Sequence, residues 1–390
     1  MRIVSILVQR FRNIDAVLFE PVEGLTVVCG ENGQGKTNLV EAIFYLATLK
    51  SLRAGKLEEL VQWGSEACEI KGTVREEIDR ELRVSVRSGR RTSTVDGKSP
   101  RSVEAYGDVL KVVAFTPDDL GVVKGAAGSR RRWLDRAAFT RFVSYLSEHR
   151  RFERALKSRN RLLKEARERG RRPGELDAFD ETLASAGARI SKRRIELLME
   201  LGDVVKSRFE SIMRSGSSLD LRYSSEGLGL GGGSDDPPLE EPVLVDLLGK
   251  ALRERRDVDL ARGFTTVGPQ ADDVSLTLDG KDARIFASQG QQRAVVLALK
   301  IGEIENLRST LGRTPLLLLD DVSSELDPTR NAHLISYLST FSGQAFVTTT
   351  DPSLLPPCGE HESARMVVEG GNLRTDRGRC LEIPKPFKVL

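Results

Sequence analysis

Apolar residues recur through Ile3–Val8, and Leu25-Thr26-Val27-Val28-Cys29 is a short continuous apolar run, the pattern of a buried strand. A glycine-rich turn follows, then a helical period from about Lys36 to Leu49 with Leu39, Ala42, Ile43, Leu46 and Ala47 on one face. Glu81–Arg87 alternates strictly, as a half-exposed antiparallel strand does, and Asp96-Gly97 signals a hairpin turn. Leu110–Phe115 reads as a strand that stops at Thr116-Pro117. From about Ser129 the period becomes helical, with Phe142, Tyr145, Leu146, His149, Phe152, Leu156, Leu163 and Ala166 on one stripe. Arg167–Glu175, which contains Gly170 and Pro173-Gly174, interrupts it. A second stripe then runs through Leu176, Phe179, Leu183, Ile190, Leu197, Leu201, Val204 and Ile212. Two long helices around one tight breaker predict an antiparallel helical hairpin, an arm. Ser224–Pro242 is rich in Gly, Ser and Pro and reads as a mobile linker. After Gly263 the β/α rhythm returns: strand Val274–Leu278, turn Asp279-Gly280, helix Gln291–Leu307, strand Leu316–Leu319, helix Asp327–Leu338 and strand Ala345–Thr348. The pattern predicts an α/β head assembled from residues 1–120 and 260–390, with residues 121–259 inserted as helical arm and linker.

The chain has 390 residues, 39% hydrophobic and 30% charged, enough to bury a core and too apolar for global disorder. No apolar run approaches the roughly 18 residues of a membrane span. Met1–Arg10 is too short and interrupted for a signal peptide, so a cytoplasmic protein is expected. Cys29, Cys68, Cys358 and Cys380 show no CxxC spacing, and His149, His333 and His361 lie far apart, which argues against a thiolate or imidazole metal site. The net charge of +3 is unevenly spread. Residues 122–215 hold 24 Lys and Arg against 13 Asp and Glu, a net of +11, so the remainder nets −8. A basic middle in an acidic rest fits a surface for a polyanion, and equally fits long solvated helices rich in Arg and Glu.

Gly30-Glu31-Asn32-Gly33-Gln34-Gly35-Lys36-Thr37 satisfies G-x-x-x-x-G-K-[ST] and lies between a strand and a helix, the context that marks a P-loop. Its glycines let backbone N–H groups curl around phosphates, and the helix N-terminus adds its positive end. Lys36 would reach the β- and γ-phosphates and the Thr37 hydroxyl would ligate Mg²⁺, so ATP with Mg²⁺ is the expected ligand. Leu316-Leu317-Leu318-Leu319-Asp320-Asp321 is an apolar strand ending in two carboxylates, at the sheet edge where ligands bind. Asp320 would hold Mg²⁺ and Asp321 would orient the attacking water, with Glu325 the alternative. Ser288-Gln289-Gly290-Gln291-Gln292-Arg293 opens a helix carrying Ala294, Leu297, Ala298 and Ile301, an anion site of hydroxyl and backbone donors. It resembles the signature sequence of ABC-type ATPases, which caps the γ-phosphate held by the other subunit. Ser324-Glu325-Leu326-Asp327 looks like their D-loop.

With these pieces in order, the chain resembles the RecF family of bacterial recombination-repair ATPases, relatives of the SMC proteins, along nearly its whole length. The carrying residues are Phe11-Arg12-Asn13, the block Gly30 to Leu39, Phe115-Thr116-Pro117-Asp118-Asp119-Leu120, Lys124-Gly125, Arg130-Arg131-Arg132-Trp133-Leu134-Asp135 and Arg159-Asn160-Arg161-Leu162-Leu163. The signature block and Leu318–Asp327 complete the set. The resemblance implies an ABC/SMC-like ATPase head with an inserted all-helical arm. It implies a weak DNA-dependent ATPase and ATP-dependent homodimer that binds single- and double-stranded DNA at gaps, helps load recombinase and serves the SOS response. It also implies RecR and RecO as partner proteins, and a place for Arg12 and Asn13 near the nucleotide. Two positions depart from transporter or family patterns. Gln270-Ala271 stands where the family usually shows His-Arg, so no role is carried over to that pair. Thr349-Thr350-Asp351 lacks the His that transporter ATPases use as a switch.

Two other readings fit less of the chain. SMC proteins and zinc-hook repair ATPases carry far longer arms or a CxxC hook, whereas no cysteine lies between Cys68 and Cys358. A transporter subunit has no use for a basic hairpin. A nucleotide-gated scaffold that never contacts DNA is compatible with the sequence, and a DNA-binding titration at two salt concentrations distinguishes it. The basic candidates for phosphate contact are Arg130, Arg131 and Arg132 before the arm, and Lys157, Arg159 and Arg161 within it.

Overall fold

The computed structural model describes residues 1–169, 174–231, 240–321, 328–351 and 363–375. The chain opens with antiparallel strands β1 (Arg2–Phe11) and β2 (Ile14–Phe19), then β3 (Leu25–Cys29) and helix α1 (Lys36–Thr48). A meander of β4 (Ala67–Arg75), β5 (Asp79–Arg87) and β6 (Arg90–Val95) leads through α2 (Val103–Gly107) to β7 (Val112–Phe115). Four helices follow: α3 (Gly121–Lys124), α4 (Ala127–Arg141), α5 (Tyr145–Arg169) and α6 (Leu176–Met213). Next come β8 (Leu219–Ser224), α7 (Glu241–Glu254), α8 (Arg256–Arg262), β9 (Asp273–Leu278), β10 (Lys281–Asp282), α9 (Ala283–Phe286) and α10 (Gln289–Leu311). The described chain ends with β11 (Leu316–Asp320), the helix Pro328–Thr340, β12 (Ala345–Thr349) and the hairpin β13 (Ser363–Glu369) and β14 (Asn372–Thr375).

These elements form two compact units, Met1–Asp118 with Glu303–Leu390, and Asp119–Gly302. The first unit holds two sheets. One has the order β14-β13-β3-β12-β11-β7 and is parallel from β13 to β7; the other is the antiparallel β2-β1-β4-β5-β6. Helix α1 buries Leu39, Val40, Ala42, Ile43, Phe44, Tyr45, Leu46 and Ala47, more than one face, because its apolar residues join a core fed by both sheets. β7 and β11 are buried at every position, which is why they read as unbroken apolar runs, whereas β4 alternates buried and partly exposed positions.

In the second unit α5 and α6 form the expected antiparallel hairpin, and β10-β9-β8 form a small antiparallel sheet. Its interior is stitched by ion pairs. Arg159, fully buried, donates to Asp180 at 2.7 Å, Asp259 at 2.7 Å and the Thr265 hydroxyl at 2.8 Å. Arg256 adds bonds to Asp177 at 2.6 Å and Asp180 at 2.5 Å. Arg194 donates to Asp135 at 2.8 Å and the Pro269 carbonyl at 2.6 Å, and the Tyr145 hydroxyl donates to the same Asp135. Burial alone would raise the Asp135 carboxyl, but Arg194 and the bonds from His149 and Tyr145 hold it well below the carboxylate range. Arg130, also buried, clasps Asp273 with two bonds of 2.7 and 2.8 Å and the Gly125 carbonyl at 2.9 Å.

Several sequence readings change. Arg130 and Arg159 are withdrawn as phosphate contacts, since both guanidiniums are buried on carboxylates. The first helical stripe is split at Phe142, whose amide caps α4 by donating to Ala138. The stretch read as a linker begins with order: Ser225 caps the turn Glu226–Leu228, burying Leu228, and α7 starts at Glu241; residues 232–239 lie outside the described residues. Residues 260–302, assigned from sequence to the head, belong to the second unit. Gln270 closes the loop before β9 by donating to the Val267 carbonyl at 2.7 Å.

Removing Arg159 takes from the buried Asp259 its guanidinium and leaves the buried Asp180 to Arg256. Arg159→Ala should therefore lower stability by about 3–5 kcal/mol in denaturant titration, while Arg161→Ala, on the exposed face, should change it by less than about 0.5 kcal/mol.

Candidate functional site

The P-loop joins β3 to α1. Gly30 has φ 156°, and a Cβ there would sit 2.5 Å from the Val368 carbonyl oxygen of β13; Gly35 has φ 117° and faces the Asn13 side chain. Both positions therefore require glycine. No side chain caps α1, and its first turn carries no acidic residue, so its leading amides and positive end are left for an anion. Lys36 is buried, and its ammonium donates to the Gly30 carbonyl at 2.7 Å and the Glu31 carbonyl at 2.9 Å, spanning the mouth of the loop.

Arg12 and Asn13 lie against this loop. Asn13 donates to the Gly33 carbonyl at 3.3 Å and accepts from Asn38 at 2.7 Å. Arg12 holds the buried Glu41 with two bonds of 3.1 and 3.2 Å, and Arg53 approaches it at 3.5 Å. Burial would raise the Glu41 carboxyl, but bonds from Arg12 and Ser51 and the charges of Arg12 and Arg53 bring it below its ordinary value. The loop is also gripped from the far end of the chain. The Gly370 amide donates to the Gln34 side chain at 2.6 Å and the Gly371 amide to the Gln34 carbonyl at 2.9 Å. Sequence reasoning missed this hairpin; its only signal was the Gly370-Gly371 turn.

The strand order β3-β12-β11 sets one strand between the P-loop and the acidic edge. Asp320 ends β11, is buried, and accepts from the Thr348 hydroxyl of β12 at 2.8 Å. Burial raises its carboxyl above the ordinary value despite the lowering influence of the Thr348 and Thr37 hydroxyls and the charge of Arg53. Asp321 sits at φ 50° with its amide donating to the same Thr348 hydroxyl at 2.8 Å. The Thr37 hydroxyl and the Asp320 carboxylate are hard oxygen donors that fit Mg²⁺, which is usually held by one or two carboxylates together with substrate phosphates. No group of three His, Cys, Asp or Glu suited to a metal occurs among the described residues.

In the second unit Ser288 and Gln291 cap each other: the Ser288 amide donates to the Gln291 side chain at 2.8 Å and the Gln291 amide to the Ser288 hydroxyl at 3.2 Å. Ser288 and Gln289 are exposed, while Gly290 and Gln291 are half-buried. Helix α10 buries Val295, Val296 and Leu299 along with Ala294, Leu297, Ala298 and Ile301. Ser324, Glu325, Leu326 and Asp327 lie outside the described residues.

Of the remaining basic candidates, Arg131 donates to the Asp272 carbonyl at 2.7 Å and the exposed Arg132 to the Ser129 hydroxyl at 3.0 Å. Lys157 and Arg161 are exposed on α5, Arg161 with an ion pair to Glu165 at 2.9 Å. They belong to a longer row. Arg150, Arg154, Lys157, Arg161 and Lys164 are all exposed and recur every three or four residues, a stripe of one helix face about 21 Å long. Arg150, Arg154, Lys157 and Lys164 make no ion pair with other described residues. Arg150, Arg154 and Lys164 were not singled out from sequence, although their spacing carried the signal.

Comparison with known proteins matches residues 2–370 to the RecF/RecN/SMC N-terminal domain family. The DNA replication and repair protein RecF of Myxococcus xanthus is 48% identical, with 96% of this chain and 97% of that protein covered. RecF of Geobacter sulfurreducens is 37% identical over 96% of this chain and 99% of its own length. A solved structure of the recombination mediator protein RecF-ATPrS in the RecFOR pathway superposes with a TM-score of 0.86 at 31% identity, covering 96% of this chain and 98% of that one. An Smc head bound to the C-winged helix domain of ScpA, at 15% identity and TM-score 0.54 over 98% of each chain, shares the fold. The fold is thus that of an ABC/SMC-like ATPase head with a helical arm, and the chain belongs to the RecF family within the RecF/RecN/SMC group.

Proposed function

We propose that this chain is an ATP-dependent DNA-binding protein of recombinational repair and replication restart. The observation that carries this reading is the strand register, which lays Val28, Thr348 and Asp320 side by side and so delivers the P-loop and the acidic pair to one edge of the sheet. Support also comes from the relatives, which are named DNA replication and repair proteins, and from solved RecF-ATPrS and RecF-ATP structures.

In this reading the backbone of Gly30 to Gly35 cradles the phosphates of ATP. The Lys36 ammonium exchanges the carbonyls of Gly30 and Glu31 for the β- and γ-phosphate oxygens. Thr37 and Asp320 hold Mg²⁺, which supplies positive charge against the phosphates. Asp321 orients the attacking water, with Glu325 the alternative, and Arg12 and Asn13 brace the loop that carries the nucleotide. Ser288 and Gly290, with Gln289 and Gln291, cap the γ-phosphate bound by the partner protomer, so ATP drives a homodimer and its slow hydrolysis releases it. The basic stripe on α5 takes phosphates of single- or double-stranded DNA without reading sequence. Such a switch would sit at gaps in the cytoplasm, help load recombinase with RecR and RecO, and feed the SOS response. No helix among the described residues is long and apolar enough to cross a membrane.

Three measurements check this reading. Lys36→Ala should weaken ATP binding by about 10- to 100-fold, the loss of a hydrogen bond to a charged group, as read by equilibrium binding of a fluorescent ATP analogue. Ser288→Arg should leave ATP binding by the monomer intact and abolish the ATP-dependent dimer in sedimentation. Replacing Arg154, Lys157 and Arg161 by Ala should flatten the plot of log duplex affinity against log salt, by about 0.9 for each phosphate no longer neutralised, with ATP binding retained.

A further inference from the structure

We propose that Thr348 is a positioning residue for ATP hydrolysis, its one hydroxyl setting the Asp320 carboxylate and the Asp321 backbone together. This rests on the reading of Asp320 as the Mg²⁺-holding carboxylate. Thr348 lies on β12, the strand between the P-loop strand and the acidic strand, and is completely buried. In the ladder it pairs with Asp320 on one side and Val28 on the other. The described β11–β12 pairing ends at Asp320, and the Thr348 side chain takes up the next amide.

A hydroxyl has one proton to give and lone pairs to receive. Thr348 gives its proton to Asp320 Oδ1 at 2.8 Å and receives the Asp321 amide at 2.8 Å, so both capacities act on the acidic pair. The first bond orients the Asp320 carboxylate. The second anchors the backbone at Asp321, which sits in the left-handed region at φ 50°. The Asp320 carboxylate and the Asp321 backbone are thus tied to one residue, 28 and 27 positions later, that touches neither phosphate nor water in this reading. Hydrogen-bonding partners of metal-holding carboxylates commonly contribute 10- to 100-fold, roughly, to metal affinity or activity. A valine would fill the same space in the strand and supply neither bond.

The test uses the full chain and two readouts: steady-state ATP hydrolysis, and binding of a fluorescent ATP analogue with Mg²⁺ and with EDTA. Thr348→Val should lower kcat by about 10- to 100-fold, keep the affinity measured in EDTA, and lose most of the extra affinity that Mg²⁺ confers. Thr348→Ser, which keeps the hydroxyl, should recover both. Thr348→Ala against Thr348→Ser repeats the comparison at smaller volume, where only the hydroxyl differs, so a valine variant that fails to fold does not end the test. The proposal is overturned if the valine or alanine variant keeps kcat and the Mg²⁺ increment, or if serine is as impaired as alanine, which would make the role one of packing. Asp320→Ala separates the two layers. If it retains the Mg²⁺ increment, the reading of Asp320 is wrong; if it loses the increment while Thr348→Val retains it, only the role of Thr348 fails.

Discussion

The parallel pairing of β3 with β12 and of β12 with β11 is the constraint on which the head depends. Residues 25–29 and 316–349 are far apart in the chain, yet their register aligns Val28, Thr348 and Asp320 across three neighbouring strands. Parallel strands deliver their carboxyl ends to one edge, so the P-loop and the acidic pair emerge together. The strands are buried on both faces, and a shift of register would displace every apolar contact along with the site. The hairpin β13–β14 extends this sheet and brings Gly370 and Gly371 onto Gln34, so both chain ends shape the phosphate loop.

The second unit is organised by a different force. A buried charge without a partner is costly, and here the buried charges share partners. Asp180 serves Arg159 and Arg256, and Asp135 serves Arg194, His149 and Tyr145. Helix α4 carries two successive members of such networks. Asp135 faces the arm helices through Arg194 and Tyr145, while Arg136 binds the buried Asp119, which also meets Lys300 of α10 at 3.4 Å. Asp119 and the stretch Arg130–Asp135 thereby acquire a physical meaning: they brace α10 and the arm helices.

The structure also divides the positive charge of residues 122–215 by task. Arg130, Arg159 and Arg194 are consumed by internal carboxylates, whereas the α5 stripe keeps its charge at the surface. Net charge counted along the chain weighs both sets alike. Only the exposed set can meet a polyanion, because phosphate contact needs a guanidinium or ammonium that reaches solvent.

What the sequence by itself determined was whatever is encoded locally. Glycines at 30, 33 and 35 before Lys36 declare the phosphate loop, four leucines before Asp320 declare a buried strand, and two stripes of helical period declare the arm. Each is a pattern complete within some forty residues, so period and turn chemistry suffice to read it. Tertiary structure decided the pairings. Arg159 looks like its neighbour Arg161 in sequence, yet one meets Asp259, 100 residues away, and the other meets solvent. Thr348 is an unremarked residue in an apolar strand until Asp320 is laid beside it. The pairing of β9 with β8, which draws residues 273–278 into the second unit, and the hairpin that grips Gln34 likewise have no local signature. A side chain's identity states which bonds it can make, and only the fold states which partner is within reach.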